Sequence, residues 1–304
     1  MKKFKTTGLV MAGSAAMILA GCSDDAANEG ANRETNIGEA VEYTITGIEP
    51  GAGITGQATN MLEDYENLAG WELETSSTAG MMTELEQAIQ NEEPIIVTGW
   101  TPHWMFERYD LKMLEDPELS FGEGDDIHTI TREGLEQDMP EANAVLDAFN
   151  WSVEEMQVVI EEGQDIDMEE AAANWVEENQ DQVDSWLEGV EPVDDVSIDI
   201  ISVPWDSERA SANVISLALE QIGYDVTITD VDPSILFQAV GNGEADASVA
   251  PWLPNTHGAF MDEYGESIVD LGPNAEGTMN ALVVPEYMDV ESCLLYTSPS
   301  PRDS

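Results

Sequence analysis

An internal duplication constrains the fold of this chain more than any other feature of its sequence. Residues 85–102, LEQAIQNEEPIIVTGWTP, align with residues 236–254, LFQAVGNGEADASVAPWLP, after one gap. Each segment contains an apolar run that predicts a short buried strand, followed by a tryptophan and then a proline two positions later. Upstream, Pro50 and Pro204 occupy equivalent turns. We therefore expect each copy to place a tryptophan at the carboxyl end of a strand.

The hydrophobic pattern predicts a βαβαβ unit in each copy. The first copy is predicted to contain strands at 41–48, 71–76 and 95–97 and helices at 55–68 and 81–91. The second is predicted to contain strands at 196–203, 224–229 and 247–249 and helices at 210–222 and 234–241. The remaining predicted elements are helices at 140–149, 152–162 and 168–189 and strands at 113–115, 127–130 and 281–284. We predict an α/β fold of two lobes, with two chain crossings as a hinge and a ligand cleft between the lobes.

The charge of the chain is strongly one-sided. Its 304 residues include 63 acidic and 9 basic side chains, for a formal net charge of −54. A nucleic-acid partner is excluded because phosphate binding needs clustered Lys and Arg. The acidic residues are spread along the chain, and at about 1 M salt a Debye length of about 3 Å screens their repulsion. The composition therefore predicts a protein from a halophile.

The N-terminal residues 1–21 are predicted to be a targeting segment. Lys2, Lys3 and Lys5 precede an apolar run at 8–20 that is too short to span a bilayer, as in a secretory signal. The following Leu-Ala-Gly-Cys sequence resembles a bacterial lipobox, which implies that Cys22 is lipidated and anchors an extracytoplasmic protein to the membrane. Residues 22–40 are predicted to be a flexible acidic tether.

The C-terminal residues 293–304 differ in composition from the acidic chain before them. The sequence CLLYTSPSPRD resembles the translation of an adapter used in sequencing libraries, so we interpret this tail as non-native. Cys293 is the only cysteine besides Cys22. The sequence therefore predicts neither a disulfide framework nor a cysteine metal site.

The sequence contains none of the common motifs that we sought for catalysis or cofactor binding. The three histidines form no His-Glu-x-x-His pair, and the chain has no Gly-x-Ser-x-Gly, Walker or Gly-x-Gly-x-x-Gly sequence. No acidic cluster has the spacing of an EF-hand calcium loop. We predict that the protein is not an enzyme and that it carries no cofactor or metal.

Three tryptophans are candidates for binding a quaternary ammonium group. Trp100, Trp205 and Trp252 each follow a predicted strand next to or near a proline. A quaternary nitrogen donates no hydrogen bond, so aromatic ring faces must hold it, each contributing about 0.5–2 kcal/mol. Any one of them taken alone is more typical of a core tryptophan, but three at equivalent strand ends favour a binding site, and Trp104 is intermediate. The tryptophans predicted to lie in the core are Trp71, Trp151, Trp175 and Trp186.

A zwitterionic ligand also needs donors for its carboxylate. The helix predicted after residues 51–54 offers free backbone N–H groups at its N-terminus, where glycine permits close approach. His257 lies near Trp252 in sequence and is a candidate donor, although a surface or capping role is the alternative.

Five motifs resemble those of the glycine betaine-binding lipoproteins of ABC-type osmoprotectant importers. They are GIEPGAGI (47–54), TGWTPHWMFERYDLKMLEDP (98–117), IHTITREGL (127–135), PWDSERASANVI (204–215) and APWLPNTH (250–257). The resemblance covers roughly residues 41–290. It implies a type II-like periplasmic-binding-protein fold that closes on glycine betaine, or on proline betaine, and delivers it to a permease and an ATPase.

The resemblance also implies site residues and lobe boundaries. It places the ammonium cage on Trp100, Trp205 and Trp252 and the carboxylate contacts on the Gly53 and Ile54 amides and His257. The first lobe is expected to comprise 41–122 completed by 284–292, and the second 123–283. One departure is Pro204, which stands where a small residue is common in the family.

Other functions stay open from the sequence. A receptor for choline, carnitine or ectoine would use the same fold, although choline would leave the carboxylate donors unpaired. A solute sensor without transport is a third reading. A secreted hydrolase would need a nucleophile and base that the sequence does not pair.

Overall fold

The computed structural model describes residues 37–194 and 196–293 as a mixed α/β protein. In the described part, the strands are β1 (Thr44–Gly47), β2 (Glu72–Thr75), β3 (Val97–Thr101), β4 (Leu111–Met113), β5 (Asp125–Arg132), β6 (Val196–Ser202), β7 (Tyr224–Asp230), β8 (Ala247–Ser248), β9 (Trp252–Leu253) and β10 (Ile268–Pro285). The helices are α1 (Ile37–Ala40), α2 (Gly53–Asp64), α3 (Thr78–Asn91), α4 (Met105–Arg108), α5 (Leu135–Asp138), α6 (Pro140–Ala148), α7 (Val153–Glu162), α8 (Met168–Glu178), α9 (Gln180–Trp186), α10 (Asp206–Gln221), α11 (Pro233–Asn242) and α12 (Gly258–Tyr264).

The duplicated copies form sheets of the same strand order. In the first copy β1 lies between β2 and β3, and in the second β6 lies between β7 and β8, with parallel pairing throughout. β5 pairs antiparallel with β8, β9 and β10. We call β1–β4 with residues 279–285 the first half, and β5–β9 with residues 268–278 the second half. The predicted α/β class is confirmed.

Strand β10 joins the two halves and is much longer than the strand predicted at 281–284. Its residues 268–278 pair with β5, and residues 279–285 pair with β3 and β4. The pairing shifts register at three places, and Gly272 and Gly277 have φ of 104° and 87°. Such bulges bend a strand and interrupt its alternation. The sequence LGPNAEG therefore resembles a loop although it lies in a strand.

Two further predictions are wrong in detail. The helix predicted over 168–189 is two helices, because Asn179 leaves helical geometry between α8 and α9 and its side chain bonds the Trp175 carbonyl. Residues 37–40 of the tether predicted over 22–40 are not flexible chain, since α1 is helical and Ile37 is only 8% exposed. Ile37 belongs to the core cluster that contains Trp71, so apolar packing orders these residues.

The second half contains an aromatic core beneath helices α6–α9. Trp151, Trp175 and Trp186 are buried, and Trp175 and Trp186 stack with their ring centroids 6.2 Å apart. Phe149 meets the ring of Trp186 edge-on at 5.0 Å. Trp71 is buried in the first half. The prediction that these four tryptophans are core residues is confirmed.

The described part ends in a packed segment at the C-terminus. Ser292 forms a β-bridge with Glu115, and the Cys293 N–H donates to the Glu115 carbonyl at 2.8 Å. Cys293 is fully buried, so the first residue of the predicted tail packs in the first half. The signal at 1–21, Cys22 and residues 294–304 lie outside the described residues. No helix in the described ranges is long and apolar enough to cross a membrane.

Candidate functional site

All six predicted site residues line one cavity between the two halves. Its walls include Trp100, Trp205, Trp252, Gly53, Ile54 and His257. Glu208, Thr256 and Asn280 line it as well, and sequence reasoning missed all three. The structure thus gathers residues as far apart in the chain as Gly53 and Asn280.

Two of the three tryptophans lie in β-strands, where the sequence predicted loops after strands. Trp100 lies inside β3, where its backbone pairs with Asn280 of β10. Trp252 begins β9 and pairs with Ile127 of β5. Trp205 is the N-cap residue of α10 and the least buried of the three. Trp205 therefore follows β6 and Trp252 follows β8 as expected, although Trp252 also begins β9. Trp100 differs from the expectation, because it lies within β3 and not after it.

Each half supports its sheet tryptophan with a buried histidine. His103 meets the ring of Trp100 edge-on, with centroids 4.7 Å apart, and its Nδ1 accepts the Met105 N–H at 3.1 Å. Burial lowers the pKa of His103 to about 3. The bonds before Pro102 and Pro254 are both cis. The neutral His103 is a packing residue behind the cavity wall.

His257 presents a free hydrogen-bond donor to the cavity. Its Nδ1 accepts the backbone N–H of Trp252 at 2.9 Å, so the ring proton must be on Nε2. Burial lowers the pKa of His257 to about 4, which keeps the ring neutral at pH 7. Among the residues that the structure describes, Nε2 has no hydrogen-bond partner although it is buried. A ligand with an acceptor oxygen would satisfy it.

The N-terminus of α2 lies beside His257 in the same cavity. Gly53 and Ile54 are the first residues of this 12-residue helix, whose opening N–H groups have no acceptor within the helix. A Cβ on Gly53 would lie 2.4 Å from the Thr256 carbonyl, so only glycine fits there. Asp125 holds Thr256 by accepting its backbone N–H at 3.1 Å. Hydrogen-bond donors are therefore gathered at this end of the cavity, an arrangement that favours an anion.

Two carboxyl groups at the start of α10 hold indole rings by hydrogen bonds. Trp252 donates from Nε1 to Glu208 at 2.5 Å, and Trp104 donates to Asp206 at 2.9 Å. Burial raises the pKa of Asp206 above its usual value and that of Glu208 to about 7. Trp104, left intermediate by the sequence, thus links the halves. Among 63 acidic residues, no local sequence signal distinguished Glu208.

The cavity combines aromatic faces with hydrogen-bond donors for an anion. A molecule that carries a quaternary ammonium group and a carboxylate matches both ends. Within residues 37–194 and 196–293, no group of three or more His, Cys, Asp or Glu side chains is arranged to hold a metal ion. Fold and cavity together define a solute-binding protein.

Comparisons with known proteins agree with this class. The model of a family described as the substrate-binding domain of ABC-type glycine betaine transport systems matches residues 23–178 and 196–293. The glycine betaine/carnitine transport binding protein GbuC of Listeria monocytogenes serotype 1/2a (strain 10403S) is 44% identical over 293 residues, covering 95% of each chain. The chain belongs to this family of substrate-binding domains. It is the extracytoplasmic binding component of a transporter, in a family of transport proteins rather than enzymes.

Two solved structures are also similar over part of their length. Lactococcal OpuAC in its closed, glycine betaine-bound form is 44% identical, with 49% of this chain and 59% of that chain covered and a TM-score of 0.49. ProX from Borrelia burgdorferi is 34% identical, with 50% and 58% covered and a TM-score of 0.47. The family and the fold class inferred from the sequence motifs are both confirmed.

Proposed function

We propose that the protein captures glycine betaine, and also proline betaine, in the cavity between its halves and presents it to the permease and ATPase of an ABC importer. The observation that carries the proposal is the pairing of three tryptophans with the unpartnered His257 Nε2–H in one cavity. The family's own role in glycine betaine transport agrees with it.

The ammonium end of the ligand is assigned to the rings of Trp100, Trp205 and Trp252. Methyl groups around the nitrogen spread the positive charge over a surface that fits ring faces, and each contact contributes about 0.5–2 kcal/mol. Burial of Trp100 and Trp252 to 5% and 3% exposure removes competing water. The cage therefore selects a cation that has no N–H groups to donate.

The carboxylate end is assigned to the Gly53 and Ile54 N–H groups and to His257. All three are neutral donors, because the histidine carries its only ring proton on Nε2. A ligand without a carboxylate would leave them buried and unpaired, at about 1–3 kcal/mol for each group. The site should therefore bind glycine betaine more tightly than choline.

Closure of the two halves over the ligand is the proposed working motion. The Trp104–Asp206 hydrogen bond connects the first half to the second at 2.9 Å. Asn280 of β10 donates both to Gln57 of α2 at 2.8 Å and to Thr256 of the second half at 2.7 Å. Of these contacts, the Trp104–Asp206 and Asn280–Thr256 hydrogen bonds join the two halves and would form as the halves approach.

Membrane anchoring through a lipid on Cys22 is part of the proposal. It rests on the sequence before that residue and on the family's role at the outer side of the membrane. Globomycin, which blocks lipoprotein signal peptidase, should cause the unprocessed precursor to accumulate. A Cys22→Ser variant should be released from membranes, and retention of this variant would contradict lipid anchoring.

Carnitine is a second candidate ligand, because the relative with 44% identity is named for both glycine betaine and carnitine. Carnitine shares the trimethylammonium and carboxylate groups but separates them by a longer chain. It would therefore need more space between the tryptophans and His257.

Tryptophan fluorescence in high salt tests the proposal. The mature protein would be titrated with glycine betaine, proline betaine, carnitine, choline and ectoine. We expect saturable changes with the betaines and at least tenfold weaker binding of choline. Equal affinity for choline would contradict the proposed carboxylate contacts. The absence of any betaine response from folded protein would overturn the proposed role in betaine capture.

A further inference from the structure

Glu208 is a buried carboxyl group in the wall of the cavity. It lies in the first turn of α10, is 2% exposed, and lines the cavity together with the three tryptophans. One carboxyl oxygen accepts the Trp252 indole N–H at 2.5 Å, and the other accepts the Ser207 hydroxyl at 2.6 Å. Both oxygens are therefore fixed, and the group cannot turn away from the cavity.

No basic side chain of the described residues neutralises this carboxyl group. The four basic residues in the described ranges act elsewhere: Lys112 pairs with Glu291, Arg132 with Asp138 and Asp246, Arg209 with Asp230, and Arg108 covers the Trp104 ring. Burying a carboxylate without a cation is strongly unfavourable. A cationic ligand would supply the positive charge that the described side chains do not provide to Glu208.

We infer that Glu208 is a specificity-determining residue that supplies the negative charge complementary to the ligand's ammonium group. The inference rests on the proposed function and adds a charged group to a cage otherwise made of neutral rings. Glu208 acts directly, as a buried negative charge at the cavity wall. It also acts through Trp252, because an anion that accepts the indole N–H increases the electron density of the ring face.

The ionisation of Glu208 makes this role measurable. The groups that interact with it are Asp206 and Ser207 of α10 and Trp252 of β9, and the neutral His257 lines the same cavity. Burial raises the pKa of Glu208 to about 7, so only part of the unliganded protein carries the negative charge at neutral pH. If the ionised form binds the cation, affinity should rise about tenfold from pH 6 to pH 8.

The test compares wild type with Glu208→Gln, which keeps the shape and an acceptor for Trp252 but removes the charge. Glu220→Gln is the matched control, because it removes one charge from an exposed position at the other end of the same helix. Two ligands are titrated: glycine betaine and 3,3-dimethylbutanoate, in which carbon replaces the nitrogen. Titrations at pH 6, 7 and 8 are followed by calorimetry in high salt.

We expect Glu208→Gln to weaken glycine betaine binding at least tenfold at pH 8 and to lose the pH dependence, while Glu220→Gln resembles wild type. The preference for glycine betaine over 3,3-dimethylbutanoate, which keeps the carboxylate but lacks the positive charge, should fall at least tenfold in Glu208→Gln. An unchanged preference, or the same pH profile in both proteins, would overturn the inference.

The wild-type series decides the matter if Glu208→Gln does not fold or the isostere binds too weakly to measure. A rise in affinity with pH supports the role of Glu208, and a flat profile overturns it while leaving betaine capture intact. Wild type that binds no glycine betaine at any of the three pH values overturns the proposed function and this inference together.

Discussion

The two copies of the duplicated unit have the same strand order but support their tryptophans differently. In the first half, Trp100 packs edge-on against His103, whose pKa is lowered to about 3 and whose ring does not line the cavity. In the second half, the indole N–H of Trp252 donates to Glu208, and the backbone N–H of Trp252 donates to His257 Nδ1. The comparison shows that one strand order can support a tryptophan by ring packing in one copy and by hydrogen bonds to a carboxyl group and a histidine in the other.

The largest expected effect comes from removing the two sheet tryptophans. Trp252→Ala should weaken glycine betaine binding by about a hundredfold, because it removes a ring face and leaves Glu208 without its indole donor. Trp100→Ala should weaken it by about tenfold, and Trp205→Ala by a similar factor. Calorimetric titration measures all three. Equal losses at Trp100 and Trp252 would remove the contrast between the halves, and unchanged affinity in all three variants would refute the cage.

Glu208 should also make the unliganded protein less stable at high pH. Its carboxyl pKa is about 7 in the folded protein against a reference value of 4.5, so the folded state holds an extra proton between those pH values. The free energy of unfolding therefore falls as pH rises through this window, by about 3 kcal/mol for this group.

Urea unfolding without ligand at pH 5 and pH 8 tests this second prediction. Glu208→Gln should gain stability relative to wild type at pH 8 and lose most of that gain at pH 5. Glu220→Gln should show a smaller difference of the same sign, because partial burial and the nearby Glu169 and Asp225 also raise the pKa of Glu220. A pH-independent offset in Glu208→Gln would mean that packing, and not buried charge, explains its stability.

The two buried histidines provide the third test. His257→Ala should weaken glycine betaine binding about tenfold but change choline binding little, because it removes a donor that only the carboxylate uses. His103→Ala should lower the midpoint of thermal unfolding and affect both ligands alike, since His103 only packs behind Trp100. Titration of both ligands separates the cases. Equal losses for both ligands in His257→Ala would contradict its donor role.

The smallest expected effect concerns the link between the halves. Trp104→Phe keeps an aromatic ring but removes the hydrogen bond to Asp206, so the closed form should lose about 1 kcal/mol and affinity should fall about fivefold. Stopped-flow fluorescence should show the change mainly in the dissociation rate. A change confined to the association rate would argue against this bond as a closing contact.

The sequence predicted the parts of the fold that have local patterns. The duplication, the α/β class and the strand regions near Trp100, Trp205 and Trp252 followed from hydrophobic runs and repeated motifs. The course of β10 did not, because its register shifts and glycines break the alternation by which a strand is predicted. The break at Asn179 was missed because the apolar positions of α8 and α9 continue the same helical period.

What the sequence determined by itself was a duplicated α/β scaffold and a set of residue types suited to a betaine. The tertiary structure decided how those residues act. His257 became a neutral donor because the Trp252 N–H occupies its other nitrogen, and Glu208 became a candidate counter-charge because α10 buries it beside Trp252. The physical reason is that motifs are local in the chain, whereas burial, proton position and pKa depend on contacts between residues far apart in sequence.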